Sequence, residues 1–128
     1  MQLMMSESEE FGHHTGLDII SGKVVPFTDL PKEYKIPHIG WNEIHPPQDT
    51  VWEDLILNSV PPGTYTYFVH SFYPVCKNVS DVLAETSYGS QTFCAIAKHG
   101  KAYGTQFHPE KSGSAGITML KNFISSIE

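Results

Sequence analysis

Apolar and polar positions change period several times along the chain, and the changes mark its elements. The clearest alternation is "TYTYFVHSFY" (residues 64–73), where aromatic and β-branched residues predict a strand. "VLAETSYG" and "TFCAIAKHG" predict two more strands, and His99-Gly100 a tight turn into "KAYGTQF". Earlier, "GLDIISGKVVPF" carries apolar pairs bounded by Gly16, Gly22 and Pro26, which reads as short strands in a meander. "KIPHIGWNEI" predicts a strand that Pro37 and Gly40 restrict to an edge or a bulge. Two stretches have helical spacing. "DTVWEDLILNSVPPG" predicts a short helix capped by Asp49 or Thr50, with Val51, Leu55 and Ile56 on one face and Pro61-Pro62-Gly63 ending it. "SGSAGITMLKNFISSIE" predicts an amphipathic helix with Ile117, Leu120, Phe123, Ile124 and Ile127 inward and Ser112 or Ser114 as cap. The opening "MQLMMSESEEFG" reads as the interior of a helix and its exit. Strands, a helix, strands and a closing helix suit an α/β domain with an antiparallel extension.

Composition narrows the function classes. A chain of 128 residues, 40% hydrophobic and 17% charged, suits one globular domain with a core. The net charge of −6 and the lack of a Lys/Arg run argue against binding nucleic acid. No apolar run approaches membrane-spanning length, and the opening residues lack the cationic lead-in of a signal peptide. Two cysteines without a CxxC pair point to a reducing cytoplasm rather than a disulfide framework.

The candidate chemistry gathers at "YGTQFHPEKSG". Pro109 keeps His108 extended, and residues two apart in a strand share a face. Glu110 is therefore expected to hold one ring nitrogen of His108 and leave the other as a base, an arrangement that serves a nucleophile. The same pair also suits an ordinary surface hydrogen bond. Its position, after an apolar strand and before a turn into a helix, favours chemistry, because sites in open α/β sheets lie at such strand ends. By pattern alone, His70 is a partly buried strand histidine and Trp41 a core residue. The other histidines have no zinc-ligand spacing, and "SGSAG" is no nucleophile elbow. Cys76 and Cys94 sit in strand-like contexts and read as inert small hydrophobes.

"MQLMMSESEE", "GLDIISGKVVPF", "IPHIGWNEI", "YTYFVHSFY", "AIAKHGKAYGTQFHPEKSG" and "GITMLKNFI", in this order along nearly the whole chain, resemble the glutaminase subunits of imidazole glycerol phosphate synthase. These are class I, triad-type glutamine amidotransferases of histidine biosynthesis. "FHPE" marks class I amidotransferases broadly, whereas "HIGWNE", "YFVHS" and "HPEKSG" together are specific to this subunit.

The resemblance implies a flavodoxin-like amidotransferase sheet with an antiparallel extension. It casts residues 1–128 as the C-terminal part of one such domain, without its N-terminal parallel strands. It makes His108 the base and Glu110 its anchor in a Cys-His-Glu triad. The cysteine of the family's elbow would precede Met1. Gln2 and Glu10 would hold the glutamine substrate, and His70, Ser71 and Phe72 would line its pocket, where the family often has a Tyr near Phe72. Trp41, Asn42 and Lys111 would face a cyclase subunit, a (β/α)8 barrel that receives ammonia. No cofactor or metal is implied. Two alternatives remain: a nonenzymatic chain that binds the cyclase or glutamine, and another class I amidotransferase domain, against which "GWNE" and "HPEKSG" argue.

Overall fold

The computed structural model describes residues 1–48 and 50–128. Nine strands, β1 (Met5–Ser8), β2 (His14–Thr15), β3 (Ile20–Pro26), β4 (His38–Ile44), β5 (Thr64–His70), β6 (Phe72–Cys76), β7 (Val82–Tyr88), β8 (Gln91–His99) and β9 (Ala102–Thr105), precede one helix, α1 (Gly113–Ile127). Among the described residues the strands form three sheets, ordered β2-β1-β3-β6, β4-β5 and β7-β8-β9. The architecture is mixed α/β. Parallel pairing is confined to β1 with β3, and the other ladders are antiparallel.

The predicted strands from Thr64 onward are present, with one division. Ser71 breaks "TYTYFVHSFY" into β5 and β6, which belong to different sheets. Pro74 sits in β6, at a sheet edge where a missing N–H costs no ladder bond. The hairpins β7–β8 and β8–β9 turn through Gly89-Ser90 and Gly100-Lys101, with both glycines at φ 59°, a conformation other residues adopt at a cost. Strand β4 pairs with β5, while its end is stitched to β7 by reciprocal backbone bonds between His45 and Glu85 (2.9 and 2.8 Å). "GLDIISGKVVPF" is not a meander: its one long strand, β3, lies between a parallel and an antiparallel neighbour.

Three helical expectations are corrected. The opening segment makes a 3-10 turn at Gln2–Met4 and then enters β1. A helix this short has little stability of its own, whereas the edge of β3 offers ladder bonds and a site that buries Met5 completely. "DTVWEDLILNSVPPG" forms only a 3-10 turn at Leu55–Leu57. Asp54, rather than Thr50, caps that turn by accepting the Ile56 N–H at 3.0 Å, and Asp49 lies outside the described residues. Val51, Leu55 and Ile56 do not behave as one face: Val51 and Leu55 are exposed, while Ile56 and its neighbour Leu57 are buried. Helix α1 forms as predicted, but its buried line runs through Gly116 and Met119 with Phe123 against Tyr103. Ile117, Leu120, Ile124 and Ile127 are exposed. Gly116 sets this rotation: a Cβ there would lie 1.9 Å from the Pro109 carbonyl oxygen, so the helix makes its closest approach where there is no side chain.

Two apolar clusters form the interior. The larger joins Phe27, Ile44, Phe68, Phe93, Phe107 and Met119 across all three sheets and α1. The smaller joins Met5, Ile20, Val24, Cys94 and Ala97.

Candidate active site

His108 is positioned by the backbone. Beyond β9, the Gln106 N–H still bonds the Ala95 carbonyl at 2.9 Å, and buried Phe107 anchors the chain. His108 is extended (φ −95°, ψ 100°) and donates its N–H to the Tyr67 carbonyl at 2.9 Å, crossing from the third sheet to β5. A 3-10 turn at Pro109–Lys111 follows, with Pro109 in its first turn, where an N–H has no partner to lose. Ser112 locks this turn. Its hydroxyl donates to the His108 carbonyl at 2.6 Å and accepts the Tyr67 N–H at 3.0 Å. Ser112 thus stands at the cap position of α1, yet its side chain makes no cap bond to the helix.

The Nδ1 of His108 lies 2.9 Å from Glu110 Oε1. The expected contact is present, but a tight turn produces it rather than two strand residues on one face. An ionised carboxylate only accepts, so Nδ1 carries the proton and Nε2 is left with a lone pair. The backbone N–H of Glu110 itself, then the His108 ring, hold the Glu110 carboxyl below its usual value. Both side chains are open to solvent, at 42% and 57% exposure.

Gln2 comes to the same strand end from the far end of the sequence. Its side-chain amide donates to Gln106 Oε1 (3.0 Å), two residues before His108, and to the Phe72 carbonyl (2.9 Å). Gln2 and Glu10 line one cleft of about 330 Å³. His108 and Glu110 do not line it; Gln106 is the link between the two. The Phe72 carbonyl also accepts Nδ1–H of His70 at 2.8 Å. His70 is buried, and its Nε2 therefore accepts from Nδ1 of His38 at 2.9 Å. His38 lies between the rings of Phe68 and Tyr88, stacked on both. Burial lowers the pKa of each imidazole to about 4, helped at His38 by the His70 charge and opposed at His70 by the Phe72 carbonyl. Ser71 is half-buried at the break between β5 and β6, its carbonyl 3.5 Å from the Phe27 N–H.

The three residues expected to face a partner lie nearby. Trp41 is 54% exposed, against its expected burial by pattern, and its ring sits 5.9 Å from that of Tyr67, its partner in the β4–β5 ladder. Asn42 donates its side-chain amide to the Ser87 carbonyl at 2.6 Å. Lys111 projects into solvent beside the His108 turn, tied by its N–H to the His108 carbonyl (3.0 Å). Sequence reasoning missed His38, Gln106, Tyr67 and Ser112 as supports of the site. The adjacency of Gln106 to "FHPE" is the one local signal that could have found any of them.

Residues 1–127 match the family model described as glutamine amidotransferase class-I. The chain belongs to this family. Among curated relatives, it is 43% identical over 128 residues to imidazole glycerol phosphate synthase subunit HisH 1 of Legionella pneumophila (strain Paris), covering 97% of this chain and 60% of that one. It is 46% identical over 127 residues to the HisH subunit of Syntrophotalea carbinolica, covering 96% and 59%. It is 44% identical over 123 residues to that of Chlorobaculum tepidum, covering 96% and 58%. The chain thus spans about three fifths of the length of these relatives.

Proposed function

We propose that this chain is the base-carrying part of a class-I amidotransferase that hydrolyses glutamine to glutamate and ammonia for imidazole glycerol phosphate synthase. The observation that most supports this is the His108 imidazole held at Nδ1 by Glu110, in a family member whose curated relatives are HisH subunits. In this reading the nucleophile is a cysteine ahead of Met1, and residues 1–128 form the C-terminal part of the domain. The thiolate attacks the side-chain amide carbon of glutamine. His108 gives a proton to the departing ammonia, leaving a glutamyl thioester. It then takes a proton from the water that releases glutamate. Glu110 stabilises the imidazolium in the two stages where it exists: before ammonia leaves, when His108 holds the proton taken from the thiol, and again once the water is deprotonated. General acid–base work of this kind contributes about 10²–10⁴-fold.

The remaining roles follow the cleft. Gln2 and Glu10 hold the substrate, with the Glu10 carboxylate suited to its α-ammonium. His70, Ser71 and Phe72 do not line this cleft; they back it from the junction of β5 and β6, where the Phe72 carbonyl orients Gln2. Trp41, Asn42 and Lys111 face a (β/α)8 cyclase subunit that takes the ammonia, in the cytoplasm. A noncatalytic role for the chain by itself has one observation in its favour: neither Cys76 nor Cys94 is a hydrogen-bond partner of His108.

Complementation tests the proposal. The chain is mixed with the portion of the Legionella HisH 1 subunit that it does not cover and with a cyclase subunit, and glutamate is measured. Glutamate formation is expected only when both pieces are present, and its loss on His108→Ala. Formation that survives His108→Ala would overturn the assignment. Cyclase binding by the chain without any turnover in the mixture would favour the noncatalytic role.

A further inference from the structure

The two cysteines, unrelated in the sequence, meet in the fold. Cys76 ends β6 in the first sheet and Cys94 lies in the middle of β8 in the third. Both line a cleft of about 200 Å³ where these strands pack face to face. Both also belong to the smaller apolar cluster, Cys94 buried within it and Cys76 half-buried at its margin. The proximity of the two thiols draws Cys76 below its usual value, against burial and the nearby Asp81. The same proximity, with burial and the Asp81 and Glu85 carboxylates, pushes Cys94 up. Cys76 is therefore the more reachable thiol and the more easily ionised of the two, and Cys94 is the sheltered one. This is the asymmetry of an attacking and a resolving cysteine.

We propose that Cys76 and Cys94 form a dithiol–disulfide couple, which joins β6 to β8 when a small-molecule disulfide oxidises it. The Cys76 thiolate attacks one sulfur of the oxidant, forming a mixed disulfide and expelling the other half as a thiolate. Cys94 then loses its proton and attacks the Cys76 sulfur, expelling the second half. Two protein thiols are oxidised by two electrons, and the oxidant is reduced to two thiols that carry away the two protons. The resulting bridge is a covalent rung between the first and third sheets. It lies on the strand whose first residue, Phe72, supplies the carbonyl shared by Gln2 and His70. In a reducing compartment such a couple acts transiently, as a sensor rather than a permanent staple.

The test uses the folded 128-residue chain, excess oxidised glutathione as probe, and mass spectrometry after alkylation without reduction. Alkylatable thiols are expected to fall from two to none, with one bridge joining the Cys76 and Cys94 peptides and no lasting glutathione adduct. Cys94→Ser is expected to stop at a glutathione adduct on Cys76, and Cys76→Ser to leave Cys94 unmodified, with far-UV circular dichroism checking that each variant is folded. The wild-type result decides the question without the variants. A stable glutathione adduct on wild-type Cys76, chains cross-linked through Cys76, or two thiols surviving prolonged oxidation would each overturn the proposal.

Discussion

The imidazoles of His38 and His70 share a 2.9 Å hydrogen bond inside the core, where both are held neutral. In the unfolded chain each has a pKa near ~6.5. The unfolded state therefore binds more protons than the native state between about pH 6.5 and 4, and stability must decline as pH falls through that window. Above pH 6.5 the contribution is complete. Each histidine can tilt stability by at most about 1.4 kcal/mol per pH unit; discounted for residual solvent around the pair, we expect about 1 kcal/mol per unit in total. Melting temperature measured from pH 7 to 5 should drop accordingly. His38→Phe should flatten the slope, and an unchanged slope would place the titrating groups elsewhere.

Gly116 faces the Pro109 carbonyl where α1 meets the turn that bears Glu110, leaving no room for a Cβ. Gly116→Ala must displace backbone, because the obstructing atom is a carbonyl oxygen. We expect a loss of about 1–3 kcal/mol, typical of overpacking, by chemical denaturation. Ser114→Ala, on an exposed part of the same helix, should change stability by less than about 0.5 kcal/mol.

Removing the Ser112 hydroxyl strands the Tyr67 N–H and one bond to the His108 carbonyl. Ser112→Ala should cost about 1–3 kcal/mol, since buried polar groups lose their partner. In the complemented enzyme it should also lower turnover, through a misplaced His108 backbone. Full turnover in a destabilised Ser112→Ala would show that the hydroxyl serves only the fold.

Glu110 is exposed and takes no part in the core. Glu110→Gln should leave melting unchanged within about 0.5 kcal/mol; in the complemented enzyme, if the proposed function holds, it should lower glutamine hydrolysis by about 10²–10⁴-fold, because the imidazolium loses its counter-charge. Equal losses of stability and activity would contradict a catalytic positioning role.

Asp54 ties the Leu55–Leu57 turn to β8 and β9. Burial alone would raise its carboxyl, but bonds from Lys98, the Ile56 N–H and Tyr103 (2.9 Å) outweigh burial and hold it below its usual value. The stability it provides is present above about pH 3.8 and lost as pH falls through its lower native value. Asp54→Ala should therefore destabilise the protein by about 2–3 kcal/mol at pH 7, where hydrogen bonds to a charge are broken, and by much less near pH 2.

What could be read from the sequence was local. The His108–Glu110 contact spans two residues, so its chemistry was legible even though a turn, not a strand face, produces it. Strands β7, β8 and β9 were legible because each hairpin carries a glycine where the chain reverses. The partners His38 and His70 are 32 positions apart, and Gln2 and Gln106 are 104 apart. Only strand register and tertiary packing bring such pairs together, and no periodicity encodes either. The opening segment misled for a related reason. Its composition suits a helix, but the edge of β3 competes for the same backbone groups.

A single residue, Ser71, separates β5 from β6, and the two strands enter different sheets. No slack exists there to absorb a shift of one sheet against the other. Rotating β5 drags β6 with it, so amides on the two strands should exchange with solvent together, as one seam rather than two independent flaps.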